Sequence, residues 1–277
     1  MSLRGLRVAA PVTAPVSATA PVTAAVSVSV SVSLNGGRSA ADGGAVPLSP
    51  PDVVQSALGA VAAGAGEVLV HPRTPCGRES LSPRVVGPLL EAVRGAGVSV
   101  PLSVPAGIGA EPDPAGRLER VRSWAVLPDR AVVHFAEPGA EELAEALLAR
   151  GVAVDAVVPP GGKDAGAGPE PGALARFLAW PVRDPARIRL AVELAVADPA
   201  LVAGLRWLPP VPLLLFGRET AAWPVLRLAA RCGAGARTGV GDVLHLPDGR
   251  PARSNAELVT AALEAVGAET AATAGSR

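Results

Sequence analysis

The chain has 277 residues, which is enough for one large α/β barrel or two ordinary domains with a substantial core. Its 25 basic and 25 acidic residues balance, so the charge implies no general attraction to nucleic acid or to an anionic membrane. No apolar run reaches the roughly 18 residues that a membrane span requires without an interrupting proline or charge. The two cysteines, Cys76 and Cys232, form no CxxC pair and fit a reducing cytoplasm, where we expect this protein to reside.

Residues 1–24 differ in character from the rest of the chain. From 9 to 24 the sequence repeats PVTA-like phrases without a core-forming period, which predicts a disordered or loosely attached leader. We therefore expect one folded domain from 25 to 268, followed by a flexible tail from 269 to 277.

The domain alternates between predicted strands and predicted helices. Residues 26–34, VSVSVSVSL, alternate strictly between apolar and small polar side chains, as a strand does. Ser49–Pro50, Ser82–Pro83 and Asp113–Pro114 each place a proline directly after a residue suited to cap a helix. The predicted strands are 26–34, 67–71, 98–104, 131–136, 152–158, 187–194, 211–216 and 236–240. The predicted helices are 50–63, 83–95, a helix from 114, then 138–150, 171–179, 197–205, 220–232 and 255–266.

Eight strand–helix units with short connections predict a parallel sheet closed into a (β/α)8 TIM barrel. The main alternative is a doubly wound open sheet. The turn at 35–38 after the first strand, however, lacks the GxGxxG spacing of a dinucleotide site. In a TIM barrel the chemistry is found at the carboxyl ends of the strands.

Polar side chains cluster near the ends of most predicted strands. They are Asn35, Arg38, His71, Arg73, His134, Glu137, Asp155, Glu193, Arg218, Glu219, Arg237 and Asp242. Several guanidinium groups at one barrel mouth suit a small anionic substrate, because arginine binds carboxylate or phosphate bidentately. His71 is the best single candidate, since a histidine after an apolar strand requires a hydrogen bond or a metal. The three histidines are far apart in sequence, so spacing alone indicates no metal site.

Two stretches carry a family resemblance. VHPRTPCGRESL at 70–81 and RTGVGDVLHLPDGRPARSNAELV at 237–259 resemble the β-keto acid cleavage enzymes, the family of 3-keto-5-aminohexanoate cleavage protein. Shorter stretches at 34–38, 111–118, 137–143 and 220–227 extend the likeness in the same order. The resemblance implies a cytoplasmic transferase in which zinc polarises a β-keto acid. That acid exchanges acyl groups with acetyl-CoA, giving acetoacetate and a new acyl-CoA, and the protein would form a homotetramer.

The same resemblance implies three zinc ligands, two from a His-x-His after the second strand and a glutamate after the last strand. These positions are Leu69, His71 and Gly241 here, so His71 is the only ligand that remains. Catalytic zinc needs about three protein ligands, so we expect weak binding and little family activity, and we expect Leu69→His with Gly241→Glu to rebuild the site. The family's Ser-Thr pair after the third strand is Pro105 and Ala106 here.

The remaining site residues are expected to converge at the barrel mouth. The expected catalytic residues are Arg237, Asp242 and Asp155, and the expected substrate-binding residues are Arg73, Asn35 and Glu193. Three functions stay open at this point. They are an enzyme of the family with altered metal dependence, a degenerate member that keeps an anionic pocket, and a metal-free enzyme. The metal-free enzyme would use Asp155, Glu193 or Asp242 as its general base.

Overall fold

The fold is a closed parallel barrel, and the prediction of a single-domain (β/α)8 TIM barrel is confirmed. The computed structural model describes residues 28–161, 168–181, 184–205 and 211–275. Its eight strands follow one another around the barrel in chain order, and the first strand closes the circle by pairing with the last. The leader predicted at 1–24 lies outside the described residues. None of the helices in the described ranges has the length and apolar character needed to cross a membrane.

Each strand is followed by a helix, as predicted. The strands are β1 (Val30–Ser33), β2 (Glu67–Leu69), β3 (Leu102–Pro105), β4 (Arg130–His134), β5 (Ala153–Val158), β6 (Ile188–Glu193), β7 (Leu213–Phe216) and β8 (Gly235–Thr238). The helices are α1 (Pro50–Ala62), α2 (Pro83–Gly95), α3 (Pro114–Arg122), α4 (Ala140–Ala149), α5 (Pro171–Ala179), α6 (Pro199–Leu205), α7 (Ala222–Cys232) and α8 (Asn255–Gly275).

The helix starts follow the caps found in the sequence. Ser49 accepts a hydrogen bond from the backbone N–H of Asp52, whose carboxylate accepts one in return from the N–H of Ser49. Asp113 accepts a hydrogen bond from the N–H of Gly116 at 2.9 Å. Ser82 precedes α2 without a capping hydrogen bond, so the proline at the first helical position is the remaining start signal there.

The last helix is longer than predicted. It continues to Gly275, past residue 269, where we expected a flexible tail to begin. Val266, the last residue of the predicted helix, is buried against the core, and beyond it the contact of Glu269 with Arg231 of α7 at 3.4 Å continues the packing. The alanine-rich sequence favours helix beyond these contacts.

Inward-pointing side chains fill the barrel in three levels. The lowest level, at the amino ends of the strands, is charged and consists of Glu67, Arg130, Asp155 and Arg189. The middle level is apolar and consists of Leu69, Val132, Val157, Ala191, Leu214 and Phe216. The upper level is polar and forms the mouth. Outward-pointing residues of the same strands pack against the helices, so the barrel interior is a filled core and not a channel.

Candidate functional site at the barrel mouth

A small polar cavity lies at the carboxyl ends of the strands, directly above the apolar level. Its volume is about 20 Å³, which is room for about one water molecule. The charged and titratable side chains that line it are His71, His134, Arg218, Arg237 and Asp242. Four strand ends, those of β2, β4, β7 and β8, therefore supply one constellation.

Arg237 and Asp242 form a buried bidentate ion pair. The Nε and Nη2 atoms of Arg237 donate to the two carboxylate oxygens of Asp242 at 2.9 and 2.8 Å. The Asp242 side chain is 1% exposed, and the guanidinium carbon lies 3.5 Å from the centroid of the Phe216 ring. Ion pairing and the aromatic face together fix the guanidinium in place. Arginine has five N–H donors, so this pairing leaves others for a ligand in the cavity.

Two histidine rings share the cavity. The Nδ1 atom of His71 is buried and has no hydrogen-bond partner among the described residues. Burial, followed by the positive charge of Arg237 and Arg73, lowers the pKa of His71 to about 3. Burial, followed by Arg218 and Arg237, lowers the pKa of His134 to about 4. Both imidazoles are therefore neutral at pH 7, and the orphaned nitrogen lies in a positive field.

The β7–α7 connection holds a further guanidinium group at the mouth. The Nε atom of Arg218 lies 3.2 Å from a carboxylate oxygen of Glu193, the last residue of β6. The Arg218 side chain is 47% exposed, so it is much less enclosed than Arg237. The next residue, Glu219, has φ of +49°, a left-handed conformation, and its carboxylate pairs with Arg38. Backbone strain of this kind is often found at functional sites.

Two of the expected substrate-binding residues are occupied by backbone contacts. The Asn35 amide accepts from the N–H of His71 at 2.9 Å and donates to the carbonyl of His71 at 3.1 Å, which joins the ends of β1 and β2. Arg73 donates to the carbonyls of Gly77 and Gly36 at 2.8 and 2.7 Å, while its buried Nε has no hydrogen-bond partner in the part of the chain that the structure describes. Both side chains position the loops that carry His71.

Asp155 does not reach the mouth, so the expectation that it converges there is wrong. Its carboxylate lies in the lowest barrel level, 2.5 Å from Arg130 and 2.5 Å from Arg189. Glu67 lies 2.7 Å from Arg189 in the same cluster. Side chains of a strand alternate between two faces, and Asp155 is separated from the mouth by the next inward residue of β5, Val157. Arg130 and Arg189 neutralise the charge of Asp155, so this carboxylate belongs to the barrel core and not to the mouth.

The sequence matches the model of the beta-keto acid cleavage enzyme family over residues 27–150 and 193–276. The chain belongs to this family. No curated protein is significantly similar to it in sequence. Membership in the beta-keto acid cleavage enzyme family agrees with the resemblance found in the sequence and with the barrel.

Solved structures share this fold at low sequence identity. The apo structure of ObcA superposes with a TM-score of 0.57 at 14% identity, covering 79% of this chain and 61% of ObcA. The ternary complex of ObcA with a C4-CoA adduct and oxalate gives 0.57 at 15% identity, covering 84% of this chain and 67% of that one. The homocysteine methyltransferase MmuM from Escherichia coli gives 0.55 at 16% identity, covering 86% of this chain and 95% of that one. These likenesses establish the fold alone, and this chain spans less than two thirds of apo ObcA.

The mouth of this family member does not fit a three-ligand zinc site. Leu69 has no donor atom, and Gly241 has no side chain. A Cβ atom at Gly241 would lie 2.3 Å from the hydroxyl oxygen of Ser33 and 2.8 Å from the backbone nitrogen of Gly36. Within the described ranges, no group of three His, Cys, Asp or Glu side chains is arranged to hold a metal ion. The three family positions therefore supply one ligand, His71, where a catalytic zinc ion takes about three.

The neutral His134 gives a testable dependence of stability on pH. Its pKa is about 4 in the folded protein against an ordinary value of 6.5, so the unfolded chain takes up the proton first as the pH falls. The part of the folding stability that depends on a neutral His134 is fully present above pH 6.5. The free energy of unfolding should then fall by about 1.4 kcal/mol per pH unit as the pH drops toward 4. Urea unfolding of His134→Gln should lack that part of the slope.

The matched control for this measurement is His245→Gln, which changes an exposed histidine between β8 and α8. It should keep the slope of the wild type. An identical slope in His134→Gln and the wild type would contradict a buried neutral imidazole at the mouth.

Proposed function

We propose that this protein binds a small β-keto acid anion at the mouth of its barrel without the help of zinc. The orphaned, buried Nδ1 atom of His71 carries the proposal, because buried polar atoms without a partner are rare and mark missing ligands. The guanidinium groups of Arg237 and Arg218 line the same cavity and suit a carboxylate. Family membership supports the substrate class. One relative of the same fold, ObcA, was solved in complex with oxaloacetate.

The positive electrostatic field at the mouth attracts the substrate anion, as a bound metal ion otherwise would. Asp242 is neutralised by Arg237, and Glu193 faces Arg218, so two carboxylates oppose two guanidinium groups. Arg73 adds a third positive charge that lowers the pKa of His71. At the His71 ring the positive field of Arg237, Arg73 and Arg218 prevails, which attracts an anion and would disfavour binding of a cationic metal.

A ligand must enlarge the cavity, because 20 Å³ holds only about one water molecule. Arg218 is the residue best placed to move, since its side chain is nearly half exposed and is held by an ion pair with Glu193. We infer that the incoming carboxylate replaces Glu193 as the partner of Arg218. Arg218 would then exchange one ion pair for another.

Arg218→Ala should therefore weaken the binding of oxaloacetate about 10- to 100-fold, as expected when a hydrogen bond to a charged group is lost. Titration calorimetry of the purified protein in the presence of a zinc chelator measures this directly. The control is Arg227→Ala, which removes an exposed guanidinium on α7 that does not line the mouth cavity. Equal affinities of Arg218→Ala and the wild type would exclude Arg218 from the site.

A second candidate function is the acyl exchange with acetyl-CoA that the family resemblance implies. The observation that favours it is the intact Arg237–Asp242 pair, buried and bidentate as a proton-transfer pair would need to be. Incubation with acetyl-CoA and a panel of β-keto acids, assayed for acetoacetate with and without zinc, separates the two. Binding without turnover supports the binding function, and zinc-independent turnover supports the exchange. Turnover that requires zinc would support the family reaction and would contradict the proposal of zinc-free binding.

A further inference from the structure

A groove of about 710 Å³ opens directly beside the mouth cavity. This volume is typical of small-molecule sites, whereas the mouth cavity of about 20 Å³ is not. One wall belongs to α1, α2 and the residues before α1, and it is mostly apolar, with Leu48, Pro50, Val53, Val85 and Leu89 beside the polar Ser49 and Arg84. The other wall is the β2–α2 loop. His71 lines both the groove and the mouth cavity, so the two spaces adjoin at this ring.

The geometry determines where the rest of a keto acid can go. A carboxylate held at the mouth beside His71 leaves the substituent on the β-carbon without room in the cavity. The α1–α2 groove is the adjoining space that can accept it. A comparable groove of about 790 Å³ around Trp223 shares no lining residue with the mouth cavity, so it is less suited to hold part of the same molecule.

The chemistry of the α1–α2 groove selects the kind of substituent. Leu48 and Val85 are only partly buried there, so a chain lying on them would remove apolar surface from water. The charged side chains that line the groove are Arg73 and Arg84, and the described lining includes no acidic residue. An ammonium group would meet like charge and find no counterion.

Resting on the proposed function, we propose that the bound β-keto acid carries an aliphatic substituent without a positive charge, which lies in the α1–α2 groove. Each methylene added to the substituent is then buried against the apolar wall. Full burial of a methylene corresponds to about a fourfold gain in affinity. Affinity should rise with chain length until the groove is filled.

Calorimetric titration of freshly prepared straight-chain 3-oxo acids with four, six and eight carbons tests this, with a zinc chelator present. The dissociation constant should fall about fourfold per methylene. The six-carbon acid bearing a 5-amino group should bind at least tenfold more weakly than the uncharged six-carbon acid. Equal affinities across the series would overturn the inference, and so would tighter binding of the 5-amino acid than of the uncharged six-carbon acid.

Val85→Trp fills the groove from α2 and should remove the dependence on chain length, so that all three acids bind alike. Leu48→Trp fills it from the other side and provides a second test if Val85→Trp does not fold. The control is Gln55→Trp, an equally large change at an exposed position of α1 that does not line the groove. Dependence on chain length that survives in both groove variants would overturn the assignment.

The series also distinguishes the two levels of the proposal. If the four-carbon acid fails to bind, the proposed function itself is wrong. If that acid binds and longer acids gain nothing, only the aliphatic groove is wrong.

Discussion

Replacing Asp155 with asparagine should lower the free energy of unfolding by about 3–5 kcal/mol, the usual cost of removing one partner from a buried ion pair. Asp155 is 4% exposed and lies within hydrogen-bond distance of both Arg130 and Arg189. With a neutral amide in its place, two guanidinium groups would share Glu67 as their only remaining counterion in the cluster. Burial already raises the pKa of Glu67, which makes this carboxylate a poor sole counterion.

Urea unfolding at pH 7, followed by circular dichroism, measures the loss. The matched control is Asp248→Asn, because Asp248 forms a 2.7 Å ion pair with Arg250 in which both side chains are more than half exposed. An exposed pair of this kind contributes at most about 1 kcal/mol. If both variants lost the same small amount, the charged level of the barrel would have no stabilising role.

The double variant Leu69→His, Gly241→Glu should fail to acquire a tight zinc site. The sequence comparison alone leads to the opposite expectation, since it restores all three family ligands. In the structure, the space that the glutamate needs at its Cβ is already occupied by Ser33 and by the backbone of Gly36. Gly36 itself has φ of +50° and packs against the backbone of Gly241, so the turn has little room to withdraw.

Overpacking of this kind costs about 1–3 kcal/mol, and we expect Gly241→Ala alone to lose that much. Gly267→Ala is the control, since its Cβ would meet no atom within 4 Å in the middle of α8 and should stabilise the helix by up to about 1 kcal/mol. Thermal unfolding of the two alanine variants and zinc titration of the double variant complete the test. One-to-one, tight zinc binding by the double variant would show that the turn after β1 yields, contrary to our account.

The fold was predictable from the sequence because local signals agreed. Ser49 with Pro50 and Asp113 with Pro114 start helices where expected, and all eight strand–helix units are present. The end of α8 was not predictable, because contacts such as Glu269 with Arg231 arise only after folding.

The site was only partly predictable. His71, Arg237 and Asp242 do line one cavity. The level of each inward side chain depends on the stagger of the strands, which no single strand reveals, and this is why Asp155 was misplaced.

Arg130 and Arg189 gave no signal either, because charged residues within predicted strands are usually at the surface. Opposite charges at matching inward positions of β4, β5 and β6 would have indicated the cluster.

The proximity of the two histidines at the mouth was also not predictable from the sequence. His134 is 63 residues from His71, a spacing that suggests no partnership, yet both rings line one cavity of the barrel. Leu69 of β2 and Val132 of β4 lie in one level of the barrel, and His71 and His134 each follow two residues later, so the stagger of the strands brings both rings to the mouth.

Titration of oxaloacetate into the metal-free protein tests the central claim most directly. We predict one-to-one binding in the presence of a zinc chelator, with an affinity that added zinc does not change and that Arg218→Ala reduces. Binding that is absent from the metal-free protein and restored by zinc would contradict the account.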